Sequence, residues 1–315
     1  MNFLESARRG LARGLAGALL LACACAPAHA DGSAVWSVKG KRNTVYFAGS
    51  VHALPKDHAE LSPQLELAYR AADAIVMEVD LDDLNPLEAV EYVSQHGTLP
   101  PDETLAQVVG ADRYARILKL ANSVDVPEIA LARLEPWAAA MVLTQFALMK
   151  SGFDPQLGVD MQISERARAD GKPIEGLETV VDQLGIFDSR SVDEQARFLV
   201  DAADDVPAMH DDLARLIDAW RAGDLAGLER EFDKERAESP ALYDELLGAR
   251  NRRWMPKIEA LFGQERNYLV LVGTLHFVGR DGLLELLLRA GHKPVMLPAA
   301  AAVSGEKKST DLWRT

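Results

Sequence analysis

Cysteine is nearly absent from the chain, which has 315 residues and only two cysteines, Cys23 and Cys25. Both lie within the first 30 residues, so a chain that begins at Asp31 has none. Such a chain cannot form disulfide bonds or use cysteine as a metal ligand. Any metal ligands must then come from other residue types.

Positive charge is also scarce. The chain has 34 Lys and Arg residues against 48 Asp and Glu residues, for a net charge of −14. Proteins that bind the phosphate backbone of nucleic acids depend on clustered Lys and Arg. We therefore predict that nucleic acid is not bound. The charge says little about a peptide or a small-molecule substrate, either of which is expected as the partner. The sequence leaves the oligomeric state open.

Long apolar runs are absent except near the N-terminus. The run at 15–26 is shorter than the ~20 residues that a membrane span requires. It follows Arg8 and Arg9 and precedes Ala28-His29-Ala30, which is the three-part pattern of a secretory signal. We predict a signal peptide at 1–30, export to the periplasm or the medium, and no integral span in the remaining chain.

One alternative to cleavage stays open at this end of the chain. Residues 20–23, Leu-Leu-Ala-Cys, resemble the motif that precedes a lipidated cysteine. A lipoprotein anchored through Cys23 is therefore the second interpretation.

Apolar periodicity divides residues 31–315, which we predict to be one domain, into a sheet and a helical part. Strand patterns occur at 34–39, 44–49, 74–79, 268–272 and 294–297. The first two are joined by the turn residues 40–43 and predict a hairpin, and a helix near 281–290 separates the last two. We predict an α/β fold with a mixed, largely parallel sheet, formed by 34–80 and 267–298, and an opening hairpin.

Residues 86–265 have helical spacing and predict a long helical insertion. Helix starts are expected at Pro86, Asp102, Pro136, Ser191 and Asp224. Breaks are expected around Gly110, 152–155, Gly185 and Gly223. Short strands are possible at 126–129 and 172–176.

A four-residue element occurs twice, each time directly after an apolar strand. The two copies are Gly49-Ser50-Val51-His52 and Gly273-Thr274-Leu275-His276. In open α/β sheets ligands bind at the carboxyl ends of the strands, where loops splay apart and strands hold side chains rigidly. Glu78 is a single carboxylate near the end of a third apolar strand. We therefore expect His52, Glu78 and His276 to meet at one edge of the sheet.

Two histidines and one carboxylate form a recurrent open metal site, with room for water and substrate. A divalent ion there would lower the pKa of water toward ~7. Each histidine taken alone is more often a cap or a core residue, and the repetition favours the site. Glu78 is either an ion ligand or a general base, and its competing interpretation is a partner to a nearby arginine.

Two further acids could accept hydrogen bonds from the ligating histidines. Asp160 could instead cap a helix at 161–169, which we favour, and Glu178 could pair with a lysine. Arg250 could polarise a carbonyl or hold a substrate carboxylate, although Arg252 and Arg253 beside it suggest a solvated helix face. Asn251 has the same two interpretations.

A resemblance to a known family rests on segments spread along most of the chain. They are Gly49-Ser50-Val51-His52, Met77-Glu78-Val79, Leu134-Glu135-Pro136-Trp137, Gly158-Val159-Asp160, Gly176-Leu177-Glu178-Thr179, Arg250-Asn251 and Gly273-Thr274-Leu275-His276. In order and spacing they resemble the TraB/GumN family, in the branch that includes the Tiki proteins. Ser50 stands where threonine is usual and keeps a small hydroxyl.

The resemblance implies an α/β sheet that encloses a helical part, as in the wider superfamily of erythromycin-esterase-like and ChaN-like proteins. It also implies a metal-dependent protease that uses the two GxxH histidines and the glutamate, here His52, His276 and Glu78, with manganese or cobalt as the ion. Arg250 and Asn251 match a further pair of positions that are expected to line the same pocket.

The resemblance does not fix one chemistry, because members are also linked to pheromone shutdown, polysaccharide gene clusters and heme binding. The first hypothesis is an exported metal-dependent hydrolase of the peptidase type that uses Mn, Co or Zn. The alternative is a non-catalytic protein that binds or sequesters a peptide signal or a heme-like ligand.

Overall fold

A mixed sheet of six strands lies at the centre of the fold. The computed structural model describes residues 34–80, 86–238 and 240–298, and the predicted signal peptide lies outside them. The strands are β1 (Val35–Lys39), β2 (Thr44–Ser50), β3 (Ala74–Met77), β4 (Ile174–Gly176), β5 (Tyr268–Gly273) and β6 (Val295–Met296). Their order is β4-β3-β5-β2-β1-β6.

Only β1 runs against its neighbours. It pairs antiparallel with β2 and with β6, whereas β2–β5, β5–β3 and β3–β4 are parallel pairs. The hairpin turn is held by Asn43, whose Nδ2 donates to the carbonyls of Leu261 and Arg266 at 2.9 and 2.7 Å. The predicted α/β fold, with its opening hairpin and largely parallel sheet, is confirmed.

Thirteen α-helices cover this sheet or fill the insertion in the described part of the chain. They are α1 (Pro63–Ala71), α2 (Pro86–His96), α3 (Leu105–Val109), α4 (Ala111–Ser123), α5 (Glu128–Leu131), α6 (Pro136–Lys150), α7 (Val159–Asp170), α8 (Val180–Asp188), α9 (Val192–Ala222), α10 (Leu225–Glu238), α11 (Pro240–Tyr243), α12 (Ala249–Leu261) and α13 (Leu283–Arg289). A π-helical turn, Asp244–Gly248, joins α11 to α12. No helix among these described residues combines the length and the apolar character that crossing a bilayer requires.

Alternate side chains of the central strands enter different cores. Leu269 and Leu271 of β5 pack into a cluster with α1, α7 and the end of α9, while Val270 and Val272 pack into a second cluster with α12 and α13. This follows from the two-residue period of a strand. Because both faces are covered, the strand reads as a continuous apolar run, which is the pattern that predicted it.

The helical insertion has a core of its own, built mainly from α4, α6 and α9. Helix α9 has 31 residues, contains Pro207 and ends at Gly223, which has a left-handed conformation. Its start after Ser191 was predicted, and a capping box between Ser191 and Glu194 explains it.

The helical insertion differs from two of the predictions and agrees with a third. Residues 126–129 form no strand, because the N–H of Val126 donates to Ala121 O and α5 begins at Glu128. Gly185 does not break a helix, since it lies inside α8 between the buried residues Leu184 and Ile186. The short strand expected at 172–176 is present as β4.

Candidate active site at the carboxyl edge of the sheet

Both GxxH elements lie at one edge of the sheet, at the ends of neighbouring parallel strands. Ser50 at the end of β2 is in register with Gly273 at the end of β5. Glu78 follows β3, which pairs with the other side of β5. The strand order therefore brings three elements that are distant in sequence to one place, as expected of parallel strands.

Gly273 lies at the point where the three side chains meet. A Cβ atom at this position would be 3.2 Å from Oε1 of Glu78, 3.5 Å from Nε2 of His52 and 3.6 Å from Cδ2 of His276. The three groups that the sequence singles out thus surround one small volume. The absence of a side chain at 273 leaves that volume open.

His52 reaches this point from an exposed position, with 69% of its side-chain surface accessible. Its Nδ1 lies 2.8 Å from Oδ2 of Asp160. The charge of Asp160 raises the pKa of the His52 imidazole above its usual range. When Nδ1–H donates to this carboxylate, Nε2 is the nitrogen that faces Glu78 and His276.

The Gly158-Val159-Asp160 segment is shaped to hold His52. A Cβ atom at Gly158 would be 2.2 Å from the carbonyl oxygen of His52, and Val159 N donates to Val51 O at 3.0 Å. Helix α7 starts at Val159 with Gly158 as its N-cap and no side-chain cap. The capping role that we favoured for Asp160 is therefore wrong, and its hydrogen bond to a histidine is observed.

His276 is buried and has a defined tautomer. Asn251 Nδ2 donates to His276 O at 3.0 Å and to Asp281 O at 2.8 Å, which leaves its Oδ1 to accept from Nδ1–H of His276 at 2.7 Å. Burial lowers the pKa of His276 to about 3, so the ring is neutral at pH 7 with a lone pair on Nε2. Asn251 is 1% exposed, so its interpretation as part of a solvated face is wrong.

Glu78 is buried, and both of its oxygens are occupied. Oε1 accepts from Gly273 N at 2.7 Å, and Oε2 accepts from Gln183 Nε2 at 3.1 Å and from Arg250. Burial works to raise its pKa, but the two histidines, Arg250 and the Gly273 N–H together lower the pKa to about 2. Because His276 is neutral at pH 7, the positive charges that keep Glu78 ionised there are those of the protonated His52 and Arg250.

Arg250 joins Glu78 to Glu178. Its guanidinium forms ion pairs with both carboxylates, and all three side chains are at most 10% exposed. Glu178 also accepts from Trp254 Nε1 at 3.0 Å. Its observed partners are therefore an arginine and a tryptophan, and the predicted partners, a histidine or a lysine, are wrong.

The remaining contacts of Arg250 connect it to the second histidine. NH1 donates to Leu246 O at 2.9 Å and lies 3.2 Å from Nε2 of His276. Arg252, two residues on, is about half exposed and pairs with Asp244. The suggested solvated face thus holds for Arg252, whereas Arg250 is buried at the site.

Sequence reasoning missed two residues that support the site. Gln183 of α8 donates to Glu78, and Trp220 at the end of α9 donates from Nε1 to Gly49 O at 2.8 Å. Neither belongs to a local motif, and only the packing of the helical insertion against the sheet edge brings them there.

One feature of His52, Glu78 and His276 fits a metal site, and another feature does not. Each imidazole has Nδ1 bound to a side-chain oxygen, the arrangement that orients histidine ligands and leaves Nε2 for the ion. Arg250, however, already contacts two of the three donors. Among the described residues, no group of three or more His, Cys, Asp or Glu has the spacing of a formed metal site.

Comparisons with known proteins agree with the motif pattern. The model of the TraB/PrgY/gumN family matches residues 34–295. The chain is similar to the uncharacterized protein YbaP of Shigella flexneri, with 24% identity over 80% of this chain and 90% of that protein. It is 25% identical to YbaP of Escherichia coli K12 over 77% of this chain and 87% of that protein. No solved structure gives a significant match.

Proposed function

The chain belongs to the TraB/PrgY/gumN family, and from this premise and the geometry of the site we propose that it is a metal-dependent hydrolase of the peptidase type. The observation that carries the proposal is the convergence of His52, Glu78 and His276 within 3.6 Å of the Cβ position of Gly273. We further propose that residues 1–30 direct its export, with lipidation at Cys23 as the alternative.

In this proposal Nε2 of His52, Oε1 of Glu78 and Nε2 of His276 would hold a divalent ion, for which Mn, Co and Zn are the candidates. When bound, such an ion would lower the pKa of water and polarise a substrate carbonyl. Asn251 keeps His276 in the tautomer that presents Nε2, and Asp160 orients His52, whose Nε2 would release its proton when an ion binds. If Glu78 does not hold the ion, its carboxylate is placed to take a proton instead.

Arg250 would have a second role beside the ion. Its NH1 must leave His276 Nε2 when a ligand occupies that nitrogen, but Glu178 and Leu246 O still hold the guanidinium. Arg250 NH1 lies 3.2 Å from Nε2 of His276. A buried arginine this close to the proposed ion site can donate to a carbonyl oxygen on which negative charge develops. It also keeps Glu78 ionised.

One observation favours the alternative, a non-catalytic protein that binds a peptide signal or a heme-like ligand. Arg250 hydrogen-bonds Glu78 and lies beside Nε2 of His276, so these groups satisfy one another without an ion. A closed network of this kind can be structural. The exposed His52 would then be a binding residue at the rim of the crevice.

Ion binding and hydrolysis together test the proposal. Wild type, the His52→Ala/His276→Ala double variant and His210→Ala would be titrated with Mn²⁺, Co²⁺ and Zn²⁺ by calorimetry, after treatment with a chelator. Each would also be incubated with a peptide library and read by mass spectrometry. His210 is a matched control, since it is exposed and bonds to Ser151 O.

We expect one ion per wild-type chain, ion-dependent cleavage, and loss of both in the double variant only. A wild type that binds no ion and cleaves no peptide would refute the hydrolase. Saturable ligand binding that survives the double substitution would favour the binding protein.

A further inference from the structure

A cavity of about 670 Å³ lies in the helical part, between α6, α8, α9 and the segment from α11 to the π-helical turn. This volume is within the usual range of ligand pockets, roughly 300–1,000 Å³. None of His52, Glu78, His276 or Arg250 lines it. The cavity is therefore separate from the group of side chains around Gly273.

The lining of the cavity is largely apolar, and many of its apolar side chains are half-buried. It includes Leu148, Phe187, Phe198, Met209, Leu213 and Leu242. Five of these six side chains, all but Leu242, pack against three different core clusters, which meet at the cavity without filling it. Their apolar surface that faces the cavity remains exposed to water, and a bound ligand would bury it.

Four carboxylates of the lining form one row along α9. Glu194, Asp201, Asp205 and Asp212 are separated by 7, 4 and 7 residues. At about 100° per residue, all four fall within about 20° of a single line on the helix surface. The cavity thus has an acidic edge beside its apolar floor.

The lining holds two basic residues, Arg190 and Arg197, against the four carboxylates of the row, so its formal charge is negative. Arg190 pairs with Glu245 at 2.5 Å and Arg197 pairs with Asp193 at 2.9 Å, and both of these partners lie outside the row. Arg215 offsets one member of the row. The excess charge at the cavity is negative, which is complementary to a cationic ligand.

The length of the groove favours a peptide. From Glu194 to Leu213 the lining follows α9 for about 28 Å at 1.5 Å per residue, the reach of roughly eight extended residues.

The cavity is connected to the candidate active site through one residue. Leu246 lines the cavity, and its carbonyl accepts from NH1 of Arg250 at 2.9 Å. It lies in the π-helical turn Asp244–Gly248, a type of distortion that is frequent at functional sites. A ligand in the cavity would therefore lie one side chain away from the guanidinium that contacts Glu78 and His276.

We propose that this cavity binds a peptide segment with apolar side chains and net positive charge, as the substrate of the hydrolase. The role of the peptide as a substrate rests on the proposed function, but its binding requires neither an ion nor cleavage. Peptide binding can therefore be measured without any assay of hydrolysis.

The test uses two labelled ten-residue peptides, one that alternates Leu or Phe with Lys and one with Glu in place of Lys. Binding to the full chain in the presence of a chelator would be followed by fluorescence anisotropy. Asp201→Lys is compared with Asp218→Lys, because both residues are exposed on α9 and only Asp201 lines the cavity. Leu242→Trp fills the cavity, and Met209→Trp is the second filling variant, each checked by circular dichroism.

We expect the lysine peptide to bind and the glutamate peptide to bind at least about tenfold more weakly. Asp201→Lys should raise the Kd about three- to tenfold, Asp218→Lys should not change it, and a folded filling variant should raise it about tenfold or more. Equal binding of both peptides, or equal effects of the two lysine variants, would overturn the inference even if neither filling variant folds.

The outcomes also separate this inference from the proposed function. If the peptides bind with the expected pattern but no ion supports hydrolysis, the cavity is a peptide site and the proposed hydrolase function is refuted. If a folded Leu242→Trp variant hydrolyses peptides with an unchanged KM, the hydrolase function stands and the cavity is not its substrate site.

Discussion

Oδ2 of Asp160 lies 2.8 Å from Nδ1 of His52, although 108 residues separate the two in the chain. Asp160 is 14% exposed at its side chain and His52 is 69% exposed, so the pair lies where the site meets solvent. The carboxylate therefore both orients the imidazole and stabilises its protonated form.

Asp160→Asn should lower the pKa of His52, because the negative charge that raises it is removed. In the wild type the folded-state pKa lies above the unfolded value of ~6.5, so the pair stabilises the fold below that pH and its contribution is lost as pH rises through the folded pKa. Solvent screening keeps this contribution small. An NMR titration of the metal-free histidine rings measures the shift.

Asp57→Asn is the control for this titration, since Asp57 neighbours His58 and not His52. An unchanged His52 pKa in Asp160→Asn would show that the ion pair does not form in solution.

Gly158→Ala should destabilise the protein and displace His52. The added Cβ would be 2.2 Å from the His52 carbonyl oxygen, which is backbone and cannot rotate away. Overpacking of this kind costs about 1–3 kcal/mol, and occasionally more. Urea unfolding compares it with Gly263→Ala, where the nearest atom to the new Cβ is 3.6 Å away. Equal midpoints for the two variants would contradict the close approach.

The sheet and the meeting of the two histidines could be predicted because both depend on local patterns. Buried strands read as apolar runs, and parallel strands bring their carboxyl ends to the same edge. The role of Asp160 could not, because it depends on where α7 begins. That helix starts at Val159 rather than after Asp160, which puts the carboxylate in the first turn and toward His52.

The environment of Arg250 could not be predicted for a different reason. Its neighbours Arg252 and Arg253 are exposed, so the run looks like a solvated helix face. Its burial depends on Glu78 and Glu178, which are 172 and 72 residues away in the chain. No local pattern carries that information.

Arg250→Met should destabilise the fold by about 3–5 kcal/mol, since removal of one partner leaves buried charge uncompensated. Here two carboxylates, Glu78 and Glu178, lose the same guanidinium. The free energy of unfolding from urea titration measures the effect. Arg252→Met is the control, because that side chain is 45% exposed and its ion pairs are screened. Similar losses in both variants would show that Arg250 is not a buried ionic centre.

Gly273→Ala should separate the stability of the fold from the function of the site. The backbone of Gly273 has φ −48° and ψ 137°, which alanine adopts without strain. Its Cβ would be 3.2 Å from Glu78 Oε1, so a shift of a few tenths of an ångström accommodates it, and the stiffer unfolded chain offsets part of that cost. We expect the midpoint of thermal unfolding to change little.

The same methyl group would occupy the volume between His52, Glu78 and His276, where the proposed ion and the reacting groups must meet. Divalent-ion affinity and hydrolysis should therefore each fall about tenfold or more. Gly49→Ala is the matched control, since its Cβ would be 2.6 Å from Thr274 Oγ1 and should lower stability first. Wild-type ion affinity and turnover in Gly273→Ala would show that the reacting groups do not meet at this point. An ion bound elsewhere would not be affected by the added methyl group.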